Sequence, residues 1–234
     1  MREHALDGRL SSVGRLVREG ALLADVGTDH AYLPLFLLRS GRIRGAVCSD
    51  INAAPLESAK QNARAAGLID RCRFLLTDGA AELAGLGVTD VAIAGMGGEL
   101  IADIIERAPF LRDTGIRLIL QPMSRQAHLR RYLAASGFEI FAEEYSHSAG
   151  KFYLTLGVSF TGRVRDIDCF EAEFGEARFL EVLSDEARGY LRAKARVLQK
   201  IARGKDEGKE SSGAEAALYE YAIKILGKCH GENL

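Results

Sequence analysis

Four times between Leu22 and Gly98 a short run rich in Val, Ile, Leu and Phe ends on an aspartate, a glycine or both, and a stretch long enough for a helix separates it from the next. The runs are LLADVG from Leu22, GAVCSDI from Gly45, RFLLTDG from Arg73 and DVAIAGM from Asp90. Strand-length runs alternating with helical spacing leave few architectures open. The strands must lie parallel, with helices crossing back over both faces. A fifth run, IRLILQP from Ile116, continues the pattern. PLESAKQNARAAG illustrates the spacers, with proline in the first turn and glycine just past the end. FEIFAEEY from Phe138 and KFYLTLGVSF from Lys151 have only SHSAG between them, which predicts an antiparallel hairpin. The expected fold class is α/β, a seven-stranded and mostly parallel sheet.

After Arg163 the glycine-punctuated strands stop. The stretch from Cys169 to Arg203 reads as one long helix with a seam through Leu180, Leu183, Ala187, Leu191, Lys194, Leu198 and Ile201. Gly204 to Gly213 has the composition of a flexible loop, and beyond it Ala214, Leu218, Tyr221 and Ile225 share one face of a second helix. Residues 1–162 are therefore expected to form the sheet domain and 163–234 a helical coiled-coil hairpin.

Lysine and arginine number 31 against 32 acids, so any nucleic-acid surface must be local. One candidate exists. Every charged residue from Arg188 to Lys205 is basic, and Arg188, Arg192, Arg196 and Lys200 recur every fourth residue as a stripe. Such a stripe can follow phosphates; it can equally be the solvated face of a coiled coil, since acids from Glu171 to Glu186 leave the appendage near neutral. The cysteines at 48, 72, 169 and 229 have no metal or disulfide spacing, which predicts reduced thiols, no metal and a cytoplasmic location. The N-terminal residues carry charge at every turn, with no apolar run of signal or membrane length. The expected state is a soluble monomer or weak homodimer.

Ligands of open α/β sheets bind where strands end and the topology reverses, and these strand ends are polar. The first is Asp25-Val26-Gly27-Thr28-Asp29-His30, the second Asp50 with Ile51 beside it, the third Asp78-Gly79, the fourth Ala94-Gly95-Met96-Gly97-Gly98. Taken singly, such an Asp is usually a helix cap and such a Gly a tight turn. Together they suit a nucleotide-like cofactor: Asp50 for ribose hydroxyls, Asp78 or its neighbouring backbone for an adenine amine, and Gly27 for close backbone approach. A dehydrogenase would need Gly-x-Gly-x-x-Gly to cradle pyrophosphate, but only Gly27 remains of that pattern and Asp29 would repel the phosphates. A cationic sulfonium carrying an ammonium group is favoured by the same acids. The reading is S-adenosylmethionine.

DVGTDHAYLP, SDINAAPLESA, LLTDGAAEL, IAGMGGELI and LQPMSRQAHLRRYL together resemble the bacterial tRNA (adenine-22-N1)-methyltransferase family. The resemblance spans most of the catalytic domain; the hairpin resembles the family in architecture more than in sequence. It implies a Rossmann-like class I methyltransferase fold, S-adenosyl-L-methionine as donor, and N1 of an adenine in tRNA as acceptor. It puts Asp25, Gly27, Asp50, Asp78, Gly79, Gly95 and Gly97 around the cofactor.

AGMGG offers neither a side-chain acceptor nor an aromatic ring, both of which methylation of an exocyclic amine commonly uses. A ring nitrogen with an in-plane lone pair needs chiefly alignment and charge stabilisation. Asp29, or the carbonyls near Ala94 and Gly95, are candidate acceptors for the adenine amine. His30 and Tyr32 are candidates for stacking or positioning the base, and Gln121 for lining its pocket. Asp29 can equally be a helix cap, Tyr32 core, and Gln121 a buried, self-satisfied amide. Arg125, Arg130 and Arg131 are further phosphate candidates, or simply solvated. A small-molecule or protein methyltransferase would share this cofactor site, as would a non-catalytic protein that binds S-adenosylmethionine or RNA.

Overall fold

The computed structural model of the chain describes residues 6–206 and 213–228. Helix α1 (Gly8–Leu16) precedes β1 (Ala21–Val26), α2 (Tyr32–Arg39), β2 (Ile43–Asp50), α3 (Ala53–Ala65), β3 (Cys72–Leu76), β4 (Asp90–Gly97), α4 (Gly98–Glu106), β5 (Arg117–Ser124) and α5 (Gln126–Ala135). Strands β6 (Phe138–Ser148) and β7 (Lys151–Phe160) follow, then α6 (Cys169–Phe174), α7 (Asp185–Asp206) and α8 (Gly213–Lys228). The sheet order is β3-β2-β1-β4-β5-β7-β6, with β1 to β5 parallel and β7 antiparallel to both its neighbours. All seven sequence-predicted strands are present. Ala149 and Gly150, both at positive φ, make the tight turn between β6 and β7.

The period of two along the strands sorts the core. Ala92 and Ile119 face a cluster with Val13, Leu33, Leu37 and Ala59 from α1, α2 and α3. Val91, Ile93, Leu118 and Leu120 face Ile101, Ile105, Leu129 and Leu133 from α4 and α5. Order reverses between β1 and β4, so their carboxyl ends diverge there and leave the crevice in which such sheets bind ligands.

The long helix expected from Cys169 is interrupted. Gly175 ends α6 at φ 91°, and a Cβ there would lie 2.5 Å from Glu143 Oε1. The neighbour that forbids a side chain sits on β6, far away in sequence. Glu143 is itself buried, paired with Arg130 of α5 at 2.7 Å and accepting from Tyr145 Oη at 2.7 Å. Arg130 is therefore an internal brace, 2% exposed, and not a phosphate-facing residue. Lys194, the odd member of the predicted seam, pairs with Glu173 of α6 at 2.9 Å. Burial lowers its pKa, against the pull of that carboxylate. Leu183, Ala187, Leu191, Ala195 and Leu198 pack with Ala222 and Ile225 of α8, whereas Ile201 is exposed. Gly204 belongs to α7, and 207–212, the middle of the expected loop, lie outside the described residues.

Candidate active site

The loop from β1 to α2 carries three positive φ values in five residues: Gly27 at 73°, Asp29 at 51° and Ala31 at 58°. Non-glycine residues there cost about 1–3 kcal/mol each and persist only where surrounding structure holds them, typically at functional sites. Here the anchor is β2. Ser49 O accepts from the amides of both Gly27 and Thr28 at 2.9 Å, and Asp50 Oδ2 accepts from Asp29 N at 3.4 Å. Gly27 has a second reason to be glycine, since a Cβ would come within 2.4 Å of Met96 Cε. Its freedom makes room for that methyl group rather than for a ligand alone.

The loop walls a cavity of about 400 Å3 at the crossing of β1 and β4, a volume normal for a small-molecule site. Asp25, Gly27, Asp29, His30, Tyr32, Ala94 and Gly95 line it, so seven of the sequence-predicted residues converge. Burial pushes the Asp25 carboxyl up to about 6, although Thr28 Oγ1 donates to it at 2.7 Å and the Arg9 charge pulls the other way. A cation in the cavity would restore the ionised form. Asp50 closes the adjoining strand end, its two oxygens each taking one backbone donor, from Asn52 and Asp29, with lone pairs left for two hydroxyls.

The rim is more exposed. The Asp29 side chain is 70% exposed and 3.4 Å from His30 Nε2; it does not cap α2, whose N-cap Ala31 has no side-chain bond. Tyr32 is 49% exposed and therefore not core, its ring 5.3 Å from that of His30. Met123 completes the rim from β5. It and Arg9, which also lines the cavity, were missed from the sequence. Each becomes visible only once β5 and α1 are known to flank β4.

Other expectations shift. Gln121 is fully buried behind the cavity; its Oε1 accepts from Gly95 N at 3.1 Å and Arg9 Nη1 at 3.3 Å. It braces the β4 turn instead of lining an acceptor pocket, because both partners reach it before any ligand can. Asp78 is outside the cavity lining, and its carboxylate is held by Arg107 Nη1 at 3.0 Å, which keeps its pKa below the usual range. Gly79 (φ 91°) sits against the same arginine. Ile51 is exposed at the end of β2, and Met96 and Gly97 form the turn into α4. Arg192, Arg196 and Lys200 are exposed along α7, and Arg188 is half-buried, donating to Leu183 O. None of the four lines the cavity.

A larger groove, about 880 Å3, opens between α1, β6 and the segment before α7. Its arginines are already paired, Arg15 with Glu144 at 2.9 Å and Arg178 with Glu176 at 2.8 Å. The smaller cavity, at the strand crossing and with a strained loop, is the candidate site.

S-adenosylmethionine fits this donor set. The buried carboxylate of Asp25 faces the cavity, Asp50 has acceptor capacity for a ribose, and the amides of Gly27 and Thr28 are spent on Ser49 instead of being offered to a pyrophosphate.

A family model described as a methyltransferase domain matches residues 6–156. The tRNA (adenine(22)-N(1))-methyltransferase of Bacillus subtilis (strain 168) is 36% identical over 157 residues, which is 67% of this chain and 66% of that protein. The aligned stretch thus spans just under two thirds of that relative's length. Among solved structures, Streptococcus pneumoniae Sp1610, a candidate tRNA (m1A22) methyltransferase in complex with S-adenosyl-L-methionine, is 32% identical with a TM-score of 0.82. The match covers 95% of this chain and 100% of that one. TrmK of M. capricolum, bound to S-adenosyl-homocysteine, shares the fold at 23% identity and TM-score 0.76, over 97% of this chain and 98% of that one.

Proposed function

The chain belongs to the methyltransferase-domain family and, within it, to the tRNA (adenine-22-N1)-methyltransferases, and from that premise we propose that it methylates N1 of adenine 22 in tRNA with S-adenosylmethionine as donor. The observation that carries the chemistry is the pairing of an acid-lined cavity at the strand crossing with a β4 turn, Ala94-Gly95-Met96-Gly97, that has no amine-handling side chain.

When bound, the cofactor supplies an electrophilic methyl group. Asp25 would hold its cationic tail and Asp50 its ribose. Adenine N1 has an in-plane lone pair, so no residue would have to remove a proton from it; the N–CH3 bond would form as the S–CH3 bond breaks, its electron pair staying on the sulfur of the departing S-adenosylhomocysteine. The protein's task is alignment and stabilisation of the positive charge that develops on the ring. Asp29, exposed on the rim, accepts from the adenine amine and offsets that charge. Tyr32, His30 and Met123 hold the base, which must first leave its stack in the tRNA. The stripe Arg188, Arg192, Arg196 and Lys200 follows tRNA phosphates, and shape rather than base readout selects the target. Residues 163–234 act as the tRNA-docking unit of a cytoplasmic monomer or weak homodimer. Among the described residues no helix is long and apolar enough to cross a membrane.

The test uses unmodified tRNA and saturating donor under single-turnover conditions. Asp29→Ala is expected to keep cofactor affinity and slow methyl transfer by about 100-fold, the scale of one lost transition-state contact. Wild-type turnover in that variant would remove Asp29 from the mechanism, and no transfer by the wild-type protein would overturn the assignment.

A further inference from the structure

An amino-acid tail brings a carboxylate as well as an ammonium group, and the acids described above serve only the second. Five backbone amides of the two loops that wall the cavity are committed elsewhere. Gly27 N and Thr28 N donate to Ser49 O, Asp29 N to Asp50, Ala31 N to Thr28 O and Gly95 N to Gln121. Among the described residues lining the cavity, Arg9 is the one arginine or lysine.

Its position is built in. Asp7 caps α1 by accepting from Leu10 N at 2.7 Å. Gly8 permits the helix start to touch β6, where a Cβ would lie 2.5 Å from His147 O. One turn on, Ser12 Oγ is 2.8 Å from Thr155 Oγ1 of β7. A helix fastened at both points delivers Arg9 Nη1 to Gln121 Oε1, the oxygen that also receives Gly95 N. That is the guanidinium's one hydrogen bond among the described residues, with Asp7 at a loose 3.9 Å, and an arginine has five N–H donors to give.

We infer that Arg9 is a carboxylate clamp for the amino-acid tail of the methyl donor, placed beside Asp25 so that the two residues together read an α-amino acid. Arginine suits the task because its planar fork matches a carboxylate. The inference rests on S-adenosylmethionine being the cofactor. It adds that the tail's negative end is held by a side chain from α1, outside every strand-end motif. Buried Gln121 then has a role as well: it fixes the clamp relative to the β4 turn.

Calorimetric titration of the full chain separates the possibilities. S-adenosylhomocysteine carries the tail and 5′-methylthioadenosine lacks it. Arg9→Gln is expected to weaken S-adenosylhomocysteine by about ten-fold or more, the effect of removing a charge-assisted pair, and to leave 5′-methylthioadenosine within about two-fold. Arg9→Lys retains the positive charge and should recover part of the loss; it also serves if Arg9→Gln fails to fold in a thermal melt. Equal weakening of both ligands would make Arg9 a structural brace and overturn the clamp. Unchanged binding of both would overturn it too, and a raised KM for tRNA in that case would assign Arg9 to phosphate instead. If the wild-type protein binds neither ligand, it is the cofactor reading that fails.

Discussion

Around the cavity the main chain decides where things are: Ser49 O holds two loop amides, Asp50 holds a third, and Gln121 holds the β4 turn, so each candidate side chain hangs from a fixed backbone. Along the C-terminal helices the candidates are side chains on a single helix, and their placement asks only for basic residues every fourth position, winding from half-buried Arg188 beside the Leu191 seam to exposed Lys200. The first arrangement tolerates few substitutions, the second many, provided charge and amphipathicity persist. Buried Arg130, paired with Glu143 inside the sheet domain, joins the two by donating to Ala172 O of α6, next to the Lys194–Glu173 pair of the C-terminal helices. Breaking such pairs from one side strands a buried charge, so they fix orientation even where they add little stability.

The largest effect should come from the main-chain-anchored side. Asp50→Ala removes the two acceptor oxygens proposed for the ribose, each bond to a charged group being worth about 1.5–3 kcal/mol, and calorimetry should show S-adenosylhomocysteine binding weakened by about 100-fold or more. A change of only a few-fold would mean that the strand-end acid is a loop brace, no more sensitive to substitution than a helix-surface charge.

Next comes the hairpin. Replacing Arg188, Arg192, Arg196 and Lys200 together by alanine should weaken tRNA binding by about ten-fold or more near physiological salt and flatten the log K against log salt slope by up to about 3, uniformly across RNA sequences. Unchanged tRNA affinity would return the stripe to a solvated face.

The smallest is a pH effect confined to the cavity. Burial raises Asp25 from an ordinary 3.8 to about 6 in the folded protein, so its protonated form is the one that folding favours. Its contribution to stability is full below about 3.8 and lost as pH rises through about 6. Binding of a cationic tail runs the other way. Affinity for S-adenosylhomocysteine should fall several-fold between pH 7 and 5.5, and Asp25→Asn should flatten that profile. A flat wild-type profile would place the tail's ammonium elsewhere.

How legible these regions were in the sequence follows the same division. The seven strands could be read because apolar alternation and strand-end glycines are local properties, and Asp25, Gly27 and Asp50 came with them. Gly175 is a local helix-stop residue, at a φ of 91° that favours glycine, but the apolar seam resuming at Leu180 concealed the break, and the further constraint, Glu143 on another strand, is invisible in the sequence. Gln121 looked like a pocket residue until Arg9 and Gly95 claimed its oxygen, and nothing in the sequence announced that the exposed Asp78 carboxylate pairs with Arg107. Arg9 carried no signal at all, since nothing in LDGRLSS marks a helix that will lie beside β4. For Gln121 and Arg9 the deciding factor is a long-range contact acting on a residue whose local context was ordinary.

The most direct measurement is methyl transfer from labelled S-adenosylmethionine to unmodified tRNA, followed by nucleoside analysis and mapping of the labelled position. The expected result is label in 1-methyladenosine at position 22, lost when that adenine is replaced. Label in any other nucleoside, or in a protein or small molecule while tRNA stays unlabelled, would contradict it.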